Sequence, residues 1–69
     1  MPEDKYIELC NFLKVKWLVP TGGQAKLIIR SGAVKVNGIV ETRNKKKLRA
    51  GDVVEYKGKS FSVDESVLR

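Results

Sequence analysis

Residues 21–38, Thr21-Gly22-Gly23-Gln24-Ala25-Lys26-Leu27-Ile28-Ile29-Arg30-Ser31-Gly32-Ala33-Val34-Lys35-Val36-Asn37-Gly38, decide the fold of this chain. Thr21 and Gln24 stand three apart, the spacing of a capping box, so the segment opens a helix whose first turn holds Gly22 and Gly23. The N–H groups of such a turn have no carbonyl partners within the helix and can face an anion. Lys26 and Arg30 follow four residues apart, on one helical face and in line with the glycine pair one turn earlier. Their charges extend the positive end of the helix dipole into a short cationic rail. Ala25, Ile28 and Ile29 are the inward positions, and Gly32 suits a left-handed residue closing a helix of about 22–31. The period then changes from helical to two. Val34 and Val36 point one way and Lys35 the other, and Asn37-Gly38 is a strong hairpin signal because both central residues of that turn need positive φ.

Toward the N-terminus, Leu9, Phe12, Leu13 and Trp17 recur at helical spacing from about Ile7 and predict a first amphipathic helix, with Trp17 at the core edge and Pro20 as its stop. Toward the C-terminus, Ile39 to about Thr42 returns antiparallel, and residues 43–47 are too charged to bury. Ala50-Gly51-Asp52 is a turn into a strand at 53–56, and Lys57-Gly58 closes a second hairpin. Residues 59–63 alternate, with Phe61 and Val63 on one face. Residues 1–5 and 64–69 read as loose polar ends. The expected architecture is α+β: two N-terminal helices packed on a small antiparallel sheet of three to four short strands, forming one domain over 1–69.

Sixty-nine residues hold one small core, and 42% apolar with 32% charged residues fits a folded domain. Cys10 is the only cysteine and histidine is absent, which removes disulfides, nearly every zinc arrangement and the commonest general base. No metal site, cofactor or catalytic residue is expected. The apolar runs at 17–19 and 27–29 fall far short of the roughly 20 residues of a membrane span. The start MPEDKYIE also lacks a signal-peptide apolar stretch, so a cytoplasmic location is expected.

The charge is unevenly placed. Between Asn11 and Ala50 ten basic residues face one acid, Glu41, a net +9; the whole chain is +6, so the flanks together carry −3. A basic middle with acids kept to the ends is the footprint of a nucleic-acid surface, although a membrane surface or an acidic protein partner would leave a similar one. Arg43, Lys45, Lys46, Lys47 and Arg49 form the densest cluster, which reads either as a solvated loop or as a set of phosphate contacts. Lys26 and Arg30 carry the same two readings, and with the glycine pair before them phosphate contact is favoured. Asn37 serves the turn first and would present Lys35 beside the rail. Trp17 could stack on a base, but its phase with Leu9, Phe12 and Leu13 favours the core.

The runs 25–38 and Leu48-Arg49-Ala50-Gly51-Asp52-Val53-Val54 resemble the RNA-binding domain first defined in small-subunit ribosomal protein S4. With Thr21-Gly22-Gly23-Gln24 and Glu41-Thr42-Arg43 added, the chain is most similar to the small stand-alone bacterial members of that family, of the YaaA and YbcJ type. The resemblance spans about 7–63. Arginines that family members often carry at the start of the first helix and just before the second are replaced here by Tyr6–Leu9 and Thr21-Gly22, where glycine gives RNA closer access to backbone amides. The resemblance implies a non-catalytic protein that binds structured RNA, ribosomal RNA or ribosome-associated tRNA, with the ribosome or a ribosome-associated protein as a further partner; a monomer is expected. The contacts expected are Gly22, Gly23, Gln24, Lys26, Arg30, Lys35, Asn37, Arg43, Lys45, Lys46 and Lys47. The alternative is an adaptor that docks its basic face on an acidic protein.

Overall fold

A computed structural model describes residues 5–68. Helices α1 (Leu9–Val15) and α2 (Gly22–Arg30) pack against each other and against a four-stranded antiparallel sheet, giving the expected α+β fold. The sheet strands are β2 (Val34–Val36), β3 (Ile39–Val40), β5 (Val53–Tyr56) and β6 (Lys59–Ser62), in the order β3-β2-β5-β6. Val34 pairs with Tyr56, Lys35 with Glu55 and Val36 with Val54. This register puts Val34, Val36, Val54 and Tyr56 on the buried face and leaves Lys35 and Glu55 on the other, as a period of two requires.

A second, two-stranded ribbon was not foreseen. β1 (Ile7–Glu8) pairs with β4 (Lys47–Leu48), so the first helix begins two residues later than its apolar spacing suggests and the charged stretch 43–47 runs into a strand. Ile7 and Leu48 face each other in this ribbon, and both are buried. They join Leu9, Phe12 and Leu13 of α1, Ala25 and Ile29 of α2, and the inner sheet residues in one apolar cluster. Ile28 and Phe61 pack at its margin.

The two helices end alike. Each is closed by a residue of positive φ, Gly32 after α2 (φ 85°) and Trp17 after α1 (φ 61°). At α1 the turn is a Schellman motif: the Trp17 N–H donates to the Lys14 carbonyl and the Leu18 N–H to the Leu13 carbonyl, each at 3.0 Å. The helix is therefore over before its periodicity reaches Trp17. The indole is 90% exposed rather than at the core edge.

Asn37 and Gly38 both adopt positive φ, as a two-residue hairpin between β2 and β3 demands. The tail also departs from expectation. Asp64 caps a 3-10 turn over Glu65–Val67 by accepting from the Ser66 N–H, and Val67 and Leu68 pack against the core instead of trailing free. The expected looseness of residues 1–4 and 69 lies outside the described residues.

Candidate nucleic-acid interface

Helix α2 starts as its sequence dictates. The Thr21 Oγ accepts from the Gln24 N–H at 3.2 Å, one arm of the capping box. A Cβ placed on Gly22 would meet nothing within 4 Å, and one on Gly23 only the Thr21 Oγ at 3.9 Å. Packing therefore does not demand these glycines, and the space over the first turn is open. Lys26 and Arg30 are both exposed. Among the described residues neither forms a salt bridge.

Residues 42–49 are fixed from a distant part of the chain. Glu8 precedes α1 without offering a side-chain cap, so the first amides of that helix need other acceptors. They find them in the basic segment: the Leu9 N–H donates to the Lys46 carbonyl at 2.9 Å and the Cys10 N–H to the Asn44 carbonyl at 3.0 Å. The Lys47 ammonium lies 4.9 Å from the centre of the Tyr6 ring, a cation–π contact. The Glu41 carboxylate, only 15% exposed, accepts from the Arg43 N–H at 3.1 Å and from Arg43 Nε at 3.0 Å. The Arg43 side chain remains 74% exposed, so the rest of its guanidinium fork is available to a ligand. These bonds, the side-chain bond from Arg43 foremost, hold the Glu41 carboxyl below the usual range.

Arg30 at the end of α2 meets this segment across an open groove of about 640 Å³. Besides Arg30 the groove is lined by Thr42, Arg43, Asn44, Lys45, Lys46, Lys47 and Arg49, with no carboxylate among the described residues that line it. Six cations around one concavity can engage an extended polyanion at successive phosphates.

The other expected contacts lie apart. Gly22, Gly23 and Gln24 sit at the far end of α2 from Arg30, and Lys26 lies between without lining the groove. Lys35 stands on the outer sheet face opposite Glu55, in a shallow depression shared with Lys57. Asn37 is occupied by the fold: its Oδ1 accepts from the Val53 N–H at 2.9 Å, and its Nδ2 donates to Asp52 Oδ1 at 3.2 Å. Asp52 Oδ2 accepts from the Arg49 N–H at 2.9 Å, tying that turn to the first hairpin. Thr42 and Asn44 line the groove although nothing in their residue type signalled it; the weakly capped start of α1 was the available hint.

A family model for the S4 domain matches residues 2–64, nearly the whole chain. The chain belongs to the S4-domain family. YbcJ of Escherichia coli (strain K12) is 45% identical to this S4-domain chain over 58 residues, covering 84% of it and 83% of YbcJ. A Bacillus subtilis (strain 168) relative named "Probable ribosome maturation protein RlbA" is 38% identical over 56 residues, 81% of this chain and 79% of its own. The solution structure of E. coli YbcJ superposes with a TM-score of 0.67 at 41% identity, covering 93% of this chain and 81% of that one. It is described as revealing an αL motif involved in RNA-binding.

Proposed function

We propose that this S4-domain chain is a non-catalytic, monomeric, cytoplasmic RNA-binding protein that recognises structured RNA by backbone charge and shape. The RNA is ribosomal RNA or a ribosome-associated tRNA. The observation that carries the reading is the groove in which Arg30 faces Arg43, Lys45, Lys46, Lys47 and Arg49, with no carboxylate among the described residues of its lining. The αL motif of YbcJ supports RNA as the ligand, and the name of the B. subtilis relative supports a ribosomal setting. In this reading Arg30, Arg43 and Lys45–Lys47 contact successive phosphates. Lys26 and the amides of Gly22, Gly23 and Gln24 extend the footprint along α2, and Lys35 and Asn37 contribute at most its margin. Such contacts position RNA without reading its sequence, since groove shape and phosphates carry little base information.

The test is fluorescence-anisotropy binding to a structured ribosomal RNA fragment and to duplex DNA of equal length across a salt series. If roughly five phosphates are neutralised, log affinity falls against log salt with a slope of about −3.5 to −4.5. RNA is preferred, and Lys26→Ala/Arg30→Ala weakens binding without unfolding the chain. A slope near zero with equal, feeble binding to both polymers would reject the reading and direct attention to an acidic protein partner.

A further inference from the structure

We infer that Trp17 is a stacking platform for an unpaired nucleobase at the edge of the bound RNA, an inference that rests on the RNA-binding reading above. The position is built for glycine. Trp17 is the left-handed residue of the Schellman turn that closes α1, at φ 61°, a conformation disfavoured for bulky side chains. The same position after α2 is filled by Gly32. Strain at Trp17 would be unremarkable if the indole filled the core, but it is 90% exposed and the fold gains almost no burial from it. A strained residue that returns nothing to packing points to a role outside folding.

The turn also displays the indole firmly. The amides of Trp17 and Leu18 are both hydrogen-bonded back into α1. Leu18 packs against the core, and Val19 is buried within it. The ring therefore projects from a fixed backbone, which lowers the ordering cost of binding. Its surroundings suit a nucleotide. Lys14 and Lys16 precede it, and from Leu9 to Val40 the chain has no Asp or Glu. Asp64 feels the charge of Lys16 but already accepts from the Ser66 amide and hydroxyl. An exposed aromatic face that follows two lysines in the chain offers a base a surface to stack on, with positive charge nearby in sequence for its phosphates.

Trp17 is the only tryptophan, so its emission reports on this position alone. The experiment compares a blunt RNA hairpin with the same hairpin carrying a short unpaired adenosine tail. The tailed hairpin should quench the indole and bind more tightly than the blunt one, by roughly five- to a hundredfold. Trp17→Gly should bind both hairpins with the wild-type affinity for the blunt form, while its Tm stays level or rises because glycine accepts the backbone conformation. Retention of the tail preference by Trp17→Gly, or indole emission indifferent to the tailed hairpin, would overturn the stacking role while leaving RNA binding intact. Absence of wild-type affinity for either hairpin would instead overturn the RNA reading, and the stacking role with it.

Discussion

Helix α2 carries Lys26 and Arg30 on a scaffold specified by its own residues: a threonine cap, two buried apolar positions and a closing glycine. The segment 43–49 carries more charge but has no such local specification. It is held from across the chain, by the first amides of α1, by pairing of β4 with β1, and by Glu41 behind Arg43. The two tracts meet at one groove. A charged cluster with the composition of a solvated loop can thus be an ordered element when a neighbouring helix lacks its own cap. Fixing the backbone beneath the lysines in the folded state means that RNA need not order it on binding, an entropic cost of about 1–2 kcal/mol per residue otherwise.

The anchoring of the basic segment depends most heavily on Leu48. This side chain is fully buried and lies next to Lys47 in the strand that ties the basic segment to β1. Leu48→Ala should cost about 2–5 kcal/mol of stability, read by urea unfolding. In so small a domain that is a large share of the total. A loss below about 1 kcal/mol would mean that the segment is not anchored through its strand.

A milder test takes one cation from each side of the groove. Arg30→Ala and Lys46→Ala should each weaken RNA binding by roughly three- to tenfold and make the salt slope shallower by about 0.7–0.9, the contribution of one phosphate. Lys35→Ala, on the outer sheet face opposite Glu55, should leave both quantities nearly unchanged. If Arg30 mattered and Lys46 did not, the 43–49 segment would revert to a solvated loop despite its anchoring. Equal losses from Lys35 and Lys46 would mean a diffuse field rather than a groove.

Much of this was legible wherever the information is local. The Thr21 cap, Gly32, the alternation of Val34 and Val36 and the Asn37-Gly38 turn each specify their own geometry within a few residues. The β1–β4 ribbon was hidden because its strands are two residues each and some forty positions apart, so neither has a period to detect. Trp17 misled because helical phase gives a residue's direction only while the helix lasts, and backbone hydrogen bonds end α1 at Val15. The charge cluster announced the groove's composition. Its geometry required knowing that Glu8 would not cap α1.

The smallest effect separates two physical accounts of the segment. Glu41 is the one acid in the basic middle of the chain, so on charge alone its removal should strengthen RNA binding. Its geometry argues the reverse, because the carboxylate holds Arg43 by both the backbone N–H and Nε and aims the remaining donors outward. Glu41→Ala should therefore weaken binding by about two- to fivefold, whereas Glu41→Gln, which keeps an accepting oxygen, should bind at least as well as wild type. Stronger binding by Glu41→Ala would show that the acid acts only through the field. The pH dependence of folding gives an independent reading. The Arg43 bond depresses the folded-state pKa of Glu41, so its contribution to stability is complete above the ordinary carboxylate range and is lost as pH falls through the lowered value. The Tm difference between wild type and Glu41→Gln should accordingly be widest above the ordinary carboxylate range and close as pH falls below it. Asp64, also held below its ordinary value by the Ser66 hydroxyl and amide, is present in both chains, so its contribution cancels and the closing gap belongs to the Glu41–Arg43 pair.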